Sequence, residues 1–99
     1  MAAVNDEQAE RVRELLAAVP AGRVTTYGDL AAAAGLPSPR MAGRILAEDS
    51  ADLPWHRVVN ATGRPAPHKT SEQLRRLREE GVPIRGERVD LATVRWHSW

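Results

Sequence analysis

The sequence has no cysteine, and this absence removes several classes of chemistry at once. Disulfide bonds, thiolate metal sites and a cysteine nucleophile are all excluded. It also lacks any run of about 18 apolar residues, so it predicts no membrane-spanning helix. Residues 1–7 contain no basic segment followed by an apolar one, which argues against a secretory signal peptide. We therefore expect a cytoplasmic protein whose residues 1–99 form a single domain.

Lysine is scarce, and the basic residues are unevenly distributed. Lys69 is the only lysine among the 14 basic residues, so the others are arginines, whose planar guanidinium suits phosphate groups and base edges. The net charge is only +1. Residues 53–70, however, contain Arg57, Arg64 and Lys69 and no acidic residue. A local basic patch of this kind favours nucleic-acid binding on one face of a nearly neutral protein.

Capping and spacing patterns predict a first helix over residues 5–18. Asn5 can cap this helix, and Gln8 stands three positions later as in a capping box. Apolar residues recur at helical spacing and form one face, namely Val12, Leu15, Leu16 and Val19. Residues 20–22 (PAG) then end the helix.

Two short helices follow and form a predicted helix-turn-helix. Thr26 and Asp29 match a second capping box, and Gly35 suits the left-handed position that ends a helix. Ser38 is a good N-cap, with a proline at the first helical position, so the second helix is predicted over residues 39–48. Arg40 lies near the start of that helix, from which a recognition helix presents side chains to DNA. The alternative is a plain helical hairpin with solvated arginines.

Residues 54–59 (PWHRVV) combine large, basic and β-branched side chains in an unusual way. Val58 and Val59 favour a buried strand, which would hold the preceding Pro-Trp-His segment rigidly at the start of the strand. Trp55 can wall a pocket for a flat ligand, although it can equally be a core residue.

The rest of the chain predicts a loop, a helix, a hairpin and a tail. Residues 64–69 are either a solvated connection or a wing that contacts phosphates, and residues 71–80 form a helix capped by Ser71 or Thr70. Leu74 and Leu77 should face inward, and Arg75, Arg76 and Arg78 outward. Residues 84–89 should form a small hairpin, and in the tail Trp96 should pack onto the body while Trp99 stays loose. The predicted fold class is mostly α with a small β component, as a helix-turn-helix or winged-helix-like DNA-binding domain.

Several motifs, in order along the chain, resemble those of the O6-alkylguanine-DNA alkyltransferases. Residues 54–59 resemble the family's active-site motif Pro-Cys-His-Arg-Val, with tryptophan in place of the reactive cysteine. Residues 19–31 (VPAGRVTTYGDLA) resemble the segment before its recognition helix, and residues 39–43 (PRMAG) the start of its arginine-finger helix. Residues 80–81 (EG) resemble the Glu-Gly pair after its late helix. Because the cysteine is replaced, the sequence is similar to the alkyltransferase-like proteins, the non-catalytic branch of the family.

The resemblance implies a helix-turn-helix domain that binds the minor groove and flips a damaged nucleotide into a pocket. Arg40 would fill the gap left by the base, and Tyr27 would press on the target's phosphate and assist its rotation. Trp55 would wall the pocket at the former nucleophile position. His56 and Glu80, which serve the cysteine in the enzymes, would keep a structural role. The expected DNA- and lesion-binding residues are Tyr27, Arg40, Trp55, Pro54, His56, Arg57, Val58, Thr26, Met41 and Lys69.

Alkyl transfer needs a soft nucleophile that accepts the alkyl carbon, and an indole is not such a group. We therefore expect a non-enzymatic monomer, without cofactor or metal and without membrane contact, that binds double-stranded DNA containing O6-alkylguanine. The resemblance also implies that the lesion is flagged for nucleotide excision repair proteins, and a nucleoid association if the source is bacterial. Two alternatives stay open: a helix-turn-helix transcription regulator that reads the major groove, and a nuclease or glycosylase built on His56 and Glu80.

Overall fold

The structure is a computed structural model that describes residues 5–97 and 99, and these residues are mostly helical with short strands. The helices are α1 (Asp6–Ala17), α2 (Tyr27–Ala33), α3 (Pro39–Glu48), α4 (Thr70–Glu79) and α5 (Leu91–Val94). The strands are β1 (Thr25–Thr26), β2 (Val58–Val59), β3 (Ile84–Arg85) and β4 (Arg88–Val89). Short 3-10 turns cover Trp55–Arg57 and Pro67–Lys69. The predicted fold class is confirmed.

Helix α1 begins with the capping box that the sequence predicts. The side-chain oxygen of Asn5 accepts a hydrogen bond from the Gln8 N–H at 2.7 Å, and the Gln8 side chain accepts one from the Asn5 N–H at 3.1 Å. These bonds satisfy backbone donors that have no partner within the helix. Val12, Leu15 and Leu16 are buried, so the predicted apolar face packs inward.

Helices α2 and α3 form the predicted helix-turn-helix, but both of its predicted caps differ in detail. The Thr26 hydroxyl accepts from the Asp29 N–H at 3.0 Å, whereas the Asp29 carboxylate pairs with Arg95 at 2.8 Å instead of completing a capping box. Ser38 has extended backbone and Pro39 follows it, yet the Ser38 side chain makes no capping bond. Gly35 ends the first helix region at a φ of +72°, a value that glycine adopts without a steric penalty.

Strand β2 joins two buried clusters and thereby anchors the turn before it. Successive residues of a strand face opposite sides. Val58 accordingly packs into the cluster between α1, α2 and α3, while Val59 packs into the cluster beneath α4 and the β3–β4 hairpin. Strand β1 pairs with β2 in parallel, with Thr26 opposite Val59. The sequence predicted β2 but missed β1, and this pairing brings the start of α2 beside the Trp55–Arg57 turn.

Helix α4 differs from the prediction at its start. It begins at Thr70, and neither Ser71 nor Thr70 caps it: the Thr70 hydroxyl donates instead to the Ala66 carbonyl at 3.2 Å. Leu74 and Leu77 are buried as predicted.

Gln73 is fully buried, which the sequence did not indicate. Its amide nitrogen donates to the backbone carbonyls of His56 at 3.0 Å and Val58 at 2.7 Å, and its oxygen accepts from the Ala66 N–H at 2.8 Å. A buried amide needs such partners, and these bonds fasten α4 to the strand that follows the Trp55–Arg57 turn.

The C-terminal tail returns to the body. Trp96 packs against the first buried cluster, as predicted. The prediction that Trp99 is loose is wrong, because its indole N–H donates to the Leu15 carbonyl at 2.9 Å although the residue is 38% exposed. Within the part of the chain that the structure describes, no helix is long and apolar enough to cross a membrane.

Candidate nucleic-acid interface

A cleft of about 510 Å³ opens beside Trp55, within the range of about 300–1,000 Å³ that is usual for ligand pockets. Tyr27 and Gly43 line one end of it. Residues 46–51, at the end of α3 and beyond, form one side, and a second side carries Ala66, His68 and Lys69. Trp55 is partly exposed, so the indole contributes surface to the cleft.

A second cleft of about 590 Å³ adjoins the first and carries Arg40. Its lining comes from the starts of α2 and α3 and from the turn after β2, and both Arg40 and Arg44 contribute to it. Tyr27 and Gly43 line both clefts, so they form the boundary between them. The arrangement places an exposed arginine on one side of Tyr27 and an aromatic pocket on the other.

The Tyr27 ring lies closely over α3. A Cβ on Gly43 would lie 3.8 Å from this ring, an ordinary van der Waals distance, so the ring packs against α3 at this position. Partial burial raises the pKa of the Tyr27 hydroxyl, because burial disfavours the charged phenolate. Tyr27 therefore stays neutral at physiological pH and keeps a proton that it can donate in a hydrogen bond.

Two cationic side chains approach the Trp55 ring. The Lys69 ammonium lies 4.8 Å from the ring centroid and the Arg76 guanidinium carbon 5.3 Å, both within the usual cation–π range of about 6 Å. The side chain of Arg76 is 40% exposed, in line with its predicted outward position, but its Nε is buried and its terminal nitrogen pairs with Glu72 at 2.8 Å. Two positive charges therefore lie next to the indole, while Glu48 and Asp49 line another part of the cleft.

Glu80, His56 and Arg57 form an ionic cluster that supports the Trp55–Arg57 turn. Glu80 accepts from His56 Nε2 at 2.7 Å and from two Arg57 nitrogens at 2.8–3.2 Å, and also from the Gly22 N–H at 3.0 Å. Arg57 donates in addition to the Val19 carbonyl at 2.9 Å. Burial alone would raise the pKa of the Glu80 carboxyl, but the bonds from Arg57, His56 and Gly22 outweigh it and lower that pKa to about 2. Glu80 is therefore a fixed anion that orients His56.

The structure divides the predicted site residues into two groups. Arg40 and Lys69 are exposed, and Tyr27, Met41, Pro54 and Trp55 are partly exposed, so these six lie at or near the surface. The side chains of the other four are less accessible.

Thr26 and Val58 are 2% and 0% exposed, and His56 is 8% exposed. Arg57 is turned toward Glu80. Thr26 and Val58 belong to the β1–β2 pair, and His56 and Arg57 belong to the ionic cluster, which together position Trp55 and Tyr27. That these four residues contact DNA stays a prediction.

The sequence did not identify the residues that complete the cleft walls. Residues 46–48 were predicted only as the end of a helix, and residues 49–51 carried no functional prediction. No local signal distinguishes these side chains, since their role depends on which segments the fold brings beside Trp55. Among the described residues, no three His, Asp or Glu side chains cluster as metal ligands.

Residues 7–82 match the family model described as the DNA-binding domain of 6-O-methylguanine DNA methyltransferase. The chain belongs to this family. The match confirms the resemblance inferred from the active-site-like motif, and it covers the helix-turn-helix, the Trp55–Arg57 turn and α4.

Named relatives refine this placement. A DNA base-flipping protein of Escherichia coli is 41% identical over 100 aligned positions, which cover 93% of this chain and 76% of the relative. Alkyltransferase-like protein 1 of Schizosaccharomyces pombe is 36% identical over 86 positions, which cover 80% of each protein.

Solved structures agree with the sequence comparisons. S. pombe Atl1 in complex with damaged DNA containing O6-carboxymethylguanine has a TM-score of 0.86 at 29% identity, covering 97% of this chain and 100% of that one. An O6-methylguanine methyltransferase of Mycobacterium tuberculosis has a TM-score of 0.65 at 26% identity, covering 79% of this chain and 50% of that one. The fold is therefore shared with the alkyltransferases, whereas this chain has no cysteine to accept an alkyl group.

Proposed function

We propose that this protein binds O6-alkylguanine in double-stranded DNA through the minor groove, extrudes the modified nucleotide and transfers no alkyl group. The observation that supports this most directly is the pair of clefts that meet at Tyr27. We infer that Arg40, on the exposed side, enters the duplex and that Trp55, in the adjoining cleft, receives the base. The names of the relatives, a base-flipping protein and an alkyltransferase-like protein, support the same conclusion.

The energetics favour an alkylated base over a normal one. O6-alkylation removes the N1 proton of guanine and weakens its pairing, which lowers the cost of extrusion, itself a few kcal/mol. Stacking on an aromatic side chain contributes about 1–3 kcal/mol per base. Burying the alkyl group adds about 25 cal/mol per Å² of apolar surface. Stacking and alkyl burial can offset the free-energy cost of extrusion only when the base pair is already weak. The weakened pairing of the lesion therefore lets the protein discriminate between alkylated and normal guanine.

The ionic cluster argues against the enzymatic alternative. A general base works best with a pKa near the operating pH, whereas the pKa of Glu80 is about 2 and its oxygens are already engaged by Arg57 and His56. We infer that the cluster is a support for Trp55 and carries no chemistry of its own.

A protein that binds a lesion without altering it needs a successor that removes it. We therefore propose that residues 1–99 act as one DNA-binding domain, as a monomer, and that the complex is recognised by nucleotide excision repair proteins. The family resemblance supports this step.

The decisive experiment compares two duplexes of identical sequence, one with guanine and one with O6-methylguanine, at one fixed salt concentration. We expect the wild type to prefer the lesion duplex and Trp55→Ala to lose most of this preference. Trp99→Ala is the matched control, because Trp99 is also a partly exposed tryptophan but lines neither cleft. Equal affinity of the wild type for the two duplexes would overturn lesion recognition and favour the transcription regulator.

A second experiment tests the absence of transfer. Excess protein incubated with labelled O6-methylguanine DNA should release no alkyl group, no base and no cleaved strand. Trp55→Cys should also fail to accept the label, because the cleft is shaped by an indole that lies against Lys69 and Arg76. Stoichiometric labelling of the Trp55→Cys protein would contradict this account, since it would mean that His56 still activates a thiol there.

A further inference from the structure

The β3–β4 hairpin carries two arginines in an arrangement that is unfavourable by itself. Arg85 and Arg88 stand directly opposite each other across the two strands. Residues paired in this way have Cβ atoms about 4.5–5.5 Å apart, and like charges at such positions are destabilising. Both side chains are exposed, and within residues 5–97 and 99 neither has a carboxylate within 4.0 Å. An anion lying between them would relieve the repulsion.

The hairpin is held firmly in one position relative to the rest of the molecule. The Val89 N–H donates to the Gly63 carbonyl at 2.9 Å, which ties β4 to the turn after β2. A Cβ on Gly63 would overlap the Val89 carbonyl oxygen, so only glycine permits this approach. Gly86 has a φ of +60°, as the first central residue of a tight two-residue hairpin turn often requires. The two arginines therefore project from a rigid support.

The hairpin also continues the candidate interface. Arg85 and Arg88 line a third cleft, of about 470 Å³, together with Ala61 and Thr62. Ala61 also lines the cleft that carries Arg40. Because Tyr27 in turn connects the Arg40 cleft with the Trp55 cleft, the three clefts form one continuous path across the surface.

The geometry points to a second DNA contact, in which Arg85 and Arg88 bind backbone phosphates next to the stretch occupied by Arg40. This inference rests on the DNA binding proposed above, and it extends the interface from α3 to the β3–β4 hairpin. Phosphate oxygens match the two exposed guanidinium groups in charge and geometry. Asp90 lines the same cleft and Glu87 lies at the hairpin turn, and both carboxylates oppose the binding of an anion. We therefore expect binding only by a phosphate diester that contacts both arginines at once.

The prediction concerns the salt dependence of binding. The logarithm of the binding constant falls linearly with the logarithm of the salt concentration, and each neutralised phosphate makes this slope steeper by about 0.9. Arg85→Gln/Arg88→Gln should make the slope shallower by nearly two, for an undamaged duplex and a lesion duplex alike. Between 50 and 200 mM salt the wild type should accordingly lose about tenfold more affinity than the variant does. The preference for lesion over undamaged DNA should not change, because phosphate contacts carry no direct base information.

Two control variants separate this site from general charge effects. Arg85→Lys/Arg88→Lys keeps both charges and should keep the wild-type slope. Arg11→Gln/Arg75→Gln removes the same charge from α1 and α4, at positions that line none of the three clefts, and should leave the slope nearly unchanged. Thermal unfolding of each variant shows that the fold is retained.

An unchanged slope in Arg85→Gln/Arg88→Gln would overturn the proposal, as would an equal decrease in the Arg11→Gln/Arg75→Gln control. The proposed lesion recognition is tested separately, since it depends on the ratio of the affinities for the two duplexes. If the wild type binds both duplexes equally but its salt slope still differs from that of Arg85→Gln/Arg88→Gln, lesion recognition alone is refuted. If the wild type prefers the lesion duplex but the two salt slopes are the same, the hairpin contact alone is refuted.

Discussion

Replacing Glu80 by glutamine should destabilise the protein far more than the same change at its neighbour Glu79. Glu80 lies largely buried, with its side chain 15% exposed, between Arg57 and His56. Glutamine keeps one acceptor oxygen but turns an amide toward the donors of Arg57 and removes the negative charge. The Arg57 guanidinium, itself 17% exposed, would then have no carboxylate partner and would keep the Val19 carbonyl and at most one amide oxygen. Breaking a buried ion pair on one side leaves an uncompensated charge, which is strongly destabilising.

The structure sets the size of the effect. The pKa of the Glu80 carboxyl falls from 4.5 to about 2, a difference that corresponds to about 3 kcal/mol at about 1.4 kcal/mol per pH unit. This loss is a large part of the total stability of about 5–15 kcal/mol that is usual for a domain. For a chain of this size it should lower Tm by about 12–24 °C.

The same pKa gives the expected dependence on pH. Because the pKa is lower in the folded protein, the carboxylate stabilises the fold above its unfolded-state pKa and loses this effect as the pH falls. The free energy of unfolding of the wild type should therefore decrease between about pH 4.5 and pH 2. Glu80→Gln should show a flatter profile in this interval.

Urea denaturation at pH 7, 4.5, 3 and 2 checks both the size and the profile. Glu79→Gln is the control, because Glu79 is 62% exposed and pairs with Arg75 at the surface, where such pairs contribute at most about 1 kcal/mol. Equal losses for the two variants at pH 7 would refute the reasoning, as would parallel pH profiles for the wild type and Glu80→Gln.

Three further predictions concern other parts of the molecule. Arg40→Ala should weaken binding to O6-methylguanine DNA about 5- to 150-fold, by about 1–3 kcal/mol of lost stacking in the duplex, and unchanged affinity in a titration would refute the finger role. Tyr27→Phe should reduce the rise in 2-aminopurine fluorescence that reports extrusion, and an identical rise would refute its part in rotation. Gly63→Ala should lower the free energy of unfolding by about 2–5 kcal/mol in urea denaturation, because its backbone is left-handed and its Cβ would overlap the Val89 carbonyl oxygen. Gly81→Ala, also left-handed but with no atom within 4 Å of its Cβ, should cost only about 1–2 kcal/mol, so equal losses would contradict the packing argument.

Local sequence patterns predicted most of the helical structure because their causes are local. The capping box of Asn5 and Gln8 involves residues three apart, and Gly35 ends its helix through its own backbone freedom. The second predicted capping box failed because a distant residue competed for the Asp29 carboxylate. Asp29 pairs with Arg95, which lies 66 positions away, and no capping rule includes such a partner.

The sequence alone determined which chemistry is excluded and which residues identify the family. Composition is sufficient to rule out alkyl transfer to a cysteine, because the chain contains no thiol that could accept the alkyl carbon. The order of the motifs, from the segment before α2 to Glu80, indicated the family. Trp55 stood out through its position in the PWHRVV motif, and Arg40 through its place at the start of a helix.

The tertiary structure decided which of these residues form a surface and what supports them. Parallel pairing of β1 with β2 brings Tyr27 beside the Trp55 turn, and such pairing depends on contacts between residues more than 30 positions apart. The same pairing buries Thr26 and Val58, which the motif alone had suggested as contacts. Arg76 reaches Trp55 only because Gln73 fastens α4 to the backbone of that segment. Long-range hydrogen bonds and packing leave no local periodicity, so only the folded molecule shows them.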